Sequence, residues 1–237
     1  MYSKLRAKHG GASMDFTLTE EQRMAQQMVR EFAQKEVATI IKQQDREQQM
    51  ASFILSRMGE LGILGICLPV RYGGQGMDYI ALGLACEELE AVDSTLRVVL
   101  SVHIGLNSLG LFQWANEEQK RRFLTPQARG EKIACFGLTE PGAGSDVAAI
   151  RSSARRHGDE YVLNGEKMWI SLATKADHCL WVARTDPEAA DPHDGLSAFI
   201  VELDRPGVRR GDLHGKLGMR AGSTGWIALQ DVRIPVE

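Results

Sequence analysis

Several things are scarce in this 237-residue chain, and each scarcity closes off a class of function. There are four cysteines, Cys67, Cys86, Cys135 and Cys179, widely spaced and without any metal-ligand pairing. They read as small buried hydrophobes in a reducing compartment rather than as a disulfide framework or a zinc site. Six scattered histidines join no carboxylate or thiol pattern, so no metal site is expected. A basic surplus is also missing: the formal net charge is −3, which gives no support for nucleic-acid binding. Residues 1–13 carry Lys4, Arg6, Lys8 and His9 but no apolar core, so they do not read as a secretory signal. They are set aside as an extension or tag-like segment. The most apolar long stretch, Leu96 to Phe112, is interrupted by Arg97, His103 and Asn107. A core helix is expected there, and no membrane span.

What is present is enough apolar sequence, 43% of residues, for a sizeable core in one or two domains. From Thr19 the pattern is helical. Thr19 with Gln22 forms a candidate capping box, and Ala25, Met28, Val29, Phe32, Ala33, Val37 and Ile40 recur at helical spacing. A shorter helix is expected from about Gln49 to Leu61. Asp78 is placed to cap a third, a long apolar one follows from Ser94 to Trp114, and a capped one begins near Asn116. Nothing in 14–130 alternates with period two for long, so that segment reads as all-helical.

The character changes near Gly130. Short strand-like runs are expected at 132–138, 150–156, 160–164, 167–171, 178–184, 196–203 and 225–233, punctuated by Gly, Pro and Asp clusters. Such spacing suggests a closed or sandwiched β domain over 131–237. Asn164-Gly165 reads as a two-residue hairpin turn, because both central residues of that turn take positive φ. Trp169, Ile170 and Ser171 would then lie at a strand end, where an aromatic ring and a hydroxyl can face a ligand.

The most informative stretch is Ile133-Ala-Cys-Phe-Gly-Leu-Thr-Glu-Pro-Gly-Ala-Gly-Ser-Asp146. An apolar run breaks into a loop of low bulk, where glycines let backbone approach a ligand and successive N–H groups can form an anion-binding concavity. Thr139 and Ser145 add hydroxyls. A dinucleotide fingerprint fails on spacing, since Val147 stands where a third glycine is needed. Composition alone favours an ordinary polar loop, with Trp169 and Phe136 as core residues.

Phe136-Gly-Leu-Thr-Glu-Pro-Gly-Ala-Gly-Ser-Asp146, followed by Asn164-Gly165 and Lys167-Met-Trp-Ile-Ser171, resembles the acyl-CoA dehydrogenase family. The match runs through nearly all of 14–237. The resemblance implies an α+β multidomain fold, a helical N-terminal domain (14–130) and a β-barrel middle domain (131–237). The family's C-terminal helical bundle, which supplies the usual catalytic glutamate, is absent from this chain, so no catalytic residue is expected before Glu237.

The implied reaction is FAD-dependent α,β-dehydrogenation of an acyl-CoA thioester to the trans-2-enoyl-CoA: a carboxylate takes the α-proton and the β-hydrogen leaves as hydride to flavin N5. Such a step needs electrostatic stabilisation of the developing enolate. By motif position, Phe136, Leu138 and Thr139 would lie along the flavin ring, with the Leu138 and Thr139 N–H groups on its pyrimidine edge. Ser145 would sit at the diphosphate and the CoA side, while Trp169, Ile170 and Ser171 would flank the isoalloxazine, the Ser171 hydroxyl near N5. Glu140 reads as loop scaffolding and Asp146 as a turn or cap residue.

Ser94-Thr-Leu-Arg-Val-Val-Leu-Ser101 looks more like the glutaryl-CoA branch. There the arginine matching Arg97 pairs with the substrate's distal carboxylate, a pairing suited to a bidentate guanidinium. A surface or structural ion pair is the rival reading of Arg97. The resemblance further implies electron-transfer flavoprotein as acceptor, a homotetramer for the full-length protein, and a cytoplasmic or, in a eukaryote, mitochondrial-matrix setting. Two other readings stay open: a truncated binding module that does not turn over, and an acyl-CoA oxidase or flavin monooxygenase on the same scaffold.

Overall fold

The computed structural model describes residues 15–236; the extension expected at 1–13 lies outside the described residues. Helices fill the first half. Helix α1, Glu20–Phe32, starts at the Thr19–Gln22 capping box, in which the Thr19 hydroxyl accepts from the Gln22 N–H and the Gln22 side chain accepts from the Thr19 N–H. Glu20 and Glu21 sit in its first turn, where they complement the helix dipole. A wider π-helical turn, Ala33–Val37, carries α1 on to a short α2, Ile41–Glu47, and α3, Ile54–Glu60, follows. The helix expected from about Gln49 begins five residues later.

Helix α4, Tyr79–Glu90, is capped by Asp78, whose Oδ1 accepts from the Ala81 N–H. It packs on α1 with polar clamps: Arg30 bonds both oxygens of Glu88 at 2.9 and 2.7 Å, and Gln22 bonds Asp78 at 2.7 Å.

Helix α5, Ser94–Trp114, runs 21 residues and loosens to π-helical geometry over Ser101–Ser108. By length and composition it qualifies to cross a bilayer, despite Arg97, His103 and Asn107; half of its most apolar window is buried against the rest of the chain. Leu96, Val99, Leu100 and Ile104 join a single apolar cluster with Cys135, Cys179 and Trp181 of the sheet. A last helical run (α6) comprises Glu117–Gln119, the π-turn Lys120–Leu124 and Thr125–Ala128, opened by an Asn116–Gln119 capping box.

The second half is one curled seven-stranded sheet: β1 Ala134–Gly137, β2 Ser153–His157, β3 Glu160–Ser171, β4 His178–Arg184, β5 Leu196–Glu202, β6 Val208–Asp212 and β7 Thr224–Pro235. The order is β1-β4-β2-β3-β7-β6, with β5 also paired to β4. β1 runs parallel to β4, and most other pairs are antiparallel.

One expectation is overturned. Asn164-Gly165 is no turn but lies inside the continuous strand β3, at a shift of register against β7. The hairpin closes earlier, where His157 faces Glu160 and Gly158 takes φ 65°, as the first central residue of a type II′ turn requires. Gly165 is glycine for another reason. Its φ is 146°, and a Cβ there would stand 2.2 Å from the Ser152 hydroxyl. The Asn164 side chain donates from Nδ2 to Asp231 Oδ1 and accepts at Oδ1 from the Asp231 N–H, which holds the bulge against β7.

Candidate functional site

β1 carries Phe136 to the edge of the sheet beside β4, in register with Leu180. The chain then turns over Pro141-Gly142, closed by two reciprocal bonds, Glu140 N–H to Ala143 O at 2.9 Å and Ala143 N–H to Glu140 O at 3.2 Å. Proline suits the first central position of such a turn. Gly142 and Gly144 avoid positive φ, and a Cβ on either would meet nothing within 4 Å. Neither the turn nor the packing of the chain demands these two glycines. Close approach by a bound group would.

β3 brings the second motif to this loop. The Met168 N–H donates to Thr139 O at 2.8 Å, so the two motifs meet through backbone. At the next residue β3 slips register against β7. Trp169 takes φ 61°, a left-handed conformation uncommon for a bulky residue and often found at functional positions. The bulge leaves the indole 63% exposed, while Ile170 beyond it is buried. The hydroxyls of Thr139, Ser145 and Ser171 make no hydrogen bond to the described residues. The Thr139 N–H takes no partner among the described residues either.

Beneath the loop lies a buried ion pair. The Lys167 side chain is fully buried and Glu140 nearly so. Lys167 Nζ donates to Glu140 Oε1 and to the Leu138 carbonyl, both at 2.8 Å. Glu140 also accepts from the Arg151 and Ser152 N–H groups at 2.7 and 2.9 Å. Burial pulls the Lys167 ammonium below its ordinary pKa against the upward pull of Glu140. Burial alone would raise the Glu140 carboxyl, but its bonds from Lys167, Ser152 and Arg151 outweigh that and hold it below its ordinary value. All three bonds to Glu140 and both from Lys167 favour the charged pair over the neutral one.

Of the residues singled out from sequence, Leu138, Thr139, Trp169 and Ile170 come together on directly bonded or adjacent segments, with Phe136 and Ser171 at their ends. Ser145 is exposed farther round the loop. Ile170 is core, so only its backbone can face a ligand. Arg97 stands apart from this group on α5, where its Nε donates to Glu90 Oε2 at 2.8 Å. Its terminal nitrogens have no partner among the described residues. Glu140 is scaffolding indeed. Asp146 opens the short turn Val147–Ala149 through its carbonyl, without a side-chain cap. Lys167 went unsingled in the sequence, since a lysine next to Glu166 in a strand reads as solvent-facing.

This unpartnered set fits a flat, polar-edged cofactor such as flavin: an exposed indole, three idle hydroxyls, a free Thr139 N–H and a loop whose Gly142 and Gly144 face open space. The architecture defines a class, a helical bundle sharing its core with a curled sheet whose edge strand β1 leads into a glycine-rich loop. Two family models match it in turn, "Acyl-CoA dehydrogenase, N-terminal domain" over residues 19–131 and "Acyl-CoA dehydrogenase, middle domain" over residues 135–232. The chain belongs to the acyl-CoA dehydrogenase family.

A short-chain specific acyl-CoA dehydrogenase of Clostridium acetobutylicum is 41% identical over 224 residues, covering 94% of this chain and 59% of that protein. A chain solved in work on the electron transferring flavoprotein of Acidaminococcus fermentans superposes with TM-score 0.90 at 38% identity, covering 94% of this chain and 58% of that one. Glutaryl-CoA dehydrogenase of Mycobacterium smegmatis, in complex with FADH2, gives TM-score 0.85 at 37% identity, covering 92% and 54%. The chain thus spans just over half the length of the relatives it matches.

Proposed function

We propose that the chain is the FAD- and acyl-CoA-binding part of an acyl-CoA dehydrogenase that converts an acyl-CoA thioester to the trans-2-enoyl-CoA. The observation that carries this is the contact between the two motifs, Met168 N–H to Thr139 O, beside an exposed Trp169 and glycines that the fold does not need. When bound, FAD accepts the β-hydrogen as hydride. In this reading Phe136 and Trp169 flank the isoalloxazine, and the backbone of Leu138 and Thr139 with the Thr139 hydroxyl holds its pyrimidine edge. Ile170 contributes backbone and Ser171 a hydroxyl near the redox-active nitrogen. Ser145 and the open loop at Gly142 and Gly144 take the diphosphate and the CoA side. The helical unit, 14–130, and the β unit, 131–237, are proposed as the two domains.

The α-proton is not a task for Glu140, whose carboxylate already serves Lys167 and two amides. Removing that proton falls to a carboxylate other than this one. The engagement of Glu140 also favours a second reading, in which this chain alone binds flavin or acyl-CoA without turning over. Arg97 has two terminal nitrogens to offer a distal carboxylate, and Glu90 would hold it in place, as a glutaryl-type substrate requires. Electron-transfer flavoprotein is the proposed acceptor and a homotetramer the assembly of the longer protein.

The test is a visible flavin spectrum of the purified chain with added FAD, followed by butyryl-CoA and glutaryl-CoA. Binding with bleaching supports the dehydrogenase reading, and bleaching by glutaryl-CoA that Arg97→Ala abolishes supports the arginine's role. Binding without bleaching supports the second reading. No flavin uptake sinks the dehydrogenase reading for this chain and the flavin half of the second reading.

A further inference from the structure

The peptide joining Leu138 to Thr139 is held from one side by a buried cation. Lys167 Nζ donates to the Leu138 carbonyl at 2.8 Å, and the same ammonium is neutralised by Glu140 at 2.8 Å. A trans peptide points its N–H opposite to its C=O. The Thr139 N–H therefore points away from Lys167, out of the buried side of the loop, and it takes no partner among the described residues. The neighbouring peptide is fully used: Thr139 O accepts from the Met168 N–H, and the Glu140 N–H donates to Ala143 O. The Thr139 N–H is thus left idle among the described residues, and it belongs to the peptide whose carbonyl takes a charge-assisted bond.

We propose that Lys167 is a positioning and tuning residue that acts on bound flavin through the Leu138–Thr139 peptide. A charged donor on a carbonyl draws electron density toward the oxygen and makes the N–H of that same peptide a stronger donor, the polarisation by which chained hydrogen bonds reinforce one another. Low polarity around Lys167 enlarges the effect, since neither its side chain nor that of Glu140 is reached by much solvent. A stronger Thr139 donor at the ring's pyrimidine edge favours the electron-rich reduced ring over the oxidised one, and so raises the potential of bound FAD. Glu140 keeps the ammonium charged and aimed. The inference rests on the flavin reading above, but the polarised peptide exists with or without the cofactor.

Lys167→Met with Glu140→Gln removes both charges at once, leaving net charge unchanged and no buried ion unpaired. Two readouts follow in that double variant. In the chain without FAD, the Thr139 amide nitrogen resonance moves upfield of wild type, while amides of the distant helix α1 stay fixed. With FAD bound, the midpoint potential in a reductive titration against a reference dye falls by about 30 mV, a tenfold shift of a two-electron couple. An unmoved Thr139 amide overturns the inference, and so does an unmoved potential in a variant that binds FAD. Failure of the wild-type chain to bind FAD, with the amide shift present, overturns the flavin reading and leaves the polarised peptide standing. Should the double variant not fold, the wild-type Leu138 carbonyl carbon decides: a downfield position relative to the unfolded chain supports the bond, and an unshifted one overturns it.

Discussion

Lys167 and Glu140 matter to the fold as well as to the loop, and the two roles separate by substitution. Two charges buried together are tolerable because each satisfies the other, and because the remaining lone pairs of Glu140 meet the Arg151 and Ser152 N–H groups. Removing one partner leaves an ion without compensation in a site that water does not reach. Lys167→Met alone is expected to cost about 3–5 kcal/mol in urea unfolding, and the added Glu140→Gln to restore a large part of it. A double variant no more stable than Lys167→Met would mean that the pair is not coupled. That Lys167 is buried was not legible in the sequence. Glu140 was read as scaffold, yet nothing in a strand's alternation identifies a lysine whose ammonium turns inward to a carbonyl 29 residues away in sequence.

At the scale of elements, the helix starts were legible because each is decided locally. Thr19 with Gln22, Asp78, and Asn116 with Gln119 all cap as their side chains allow. Asn164-Gly165 shows the limit of the same reasoning. The pair that favours a tight turn also favours a bulge, since both need backbone freedom, and only the pairing of β3 with β7 distinguishes them. The left-handed Trp169 was likewise invisible: its place at a strand end was read correctly, the register slip that turns it outward was not. Gly165→Ala tests the bulge. Its Cβ would stand 2.2 Å from the Ser152 hydroxyl at a φ of 146°, so a loss of about 1–3 kcal/mol is expected from thermal or urea unfolding. Gly142→Ala, whose Cβ meets nothing, should leave stability unchanged. Equal effects at the two positions would refute the close approach seen at Gly165.

For the whole molecule, the seam between helices and sheet is held by neutral histidine. His103 on α5 accepts from the Ala134 N–H at Nδ1, 3.1 Å, which leaves Nε2 to carry the proton and face the Gln127 carbonyl at 3.1 Å. Protonating Nδ1 would set one N–H against another across the junction of the two halves. His178 on β4 packs at a tilt against Phe123 of α6, ring centroids 5.3 Å apart, and its ring makes no hydrogen bond among the described residues. Burial pushes both down to about 4 from 6.5; at His178 the neighbouring His103 and Lys132 push the same way, while Asp177 and Glu202 oppose. Folded pKa values below the unfolded ones mean that the unfolded chain takes protons first as pH falls. The stability due to neutral histidine is therefore complete above pH 6.5, is lost progressively between 6.5 and about 4, and changes no further below. Each histidine contributes on the order of 3 kcal/mol across that window. His178→Phe keeps an aromatic ring beside Phe123, so it should leave stability at pH 8 nearly unchanged and remove about half of the loss between pH 6.5 and 4. Urea unfolding at a series of pH values reads this directly. An undiminished slope in His178→Phe would show that acid sensitivity resides in the carboxylates, and that the seam does not depend on His178 staying neutral.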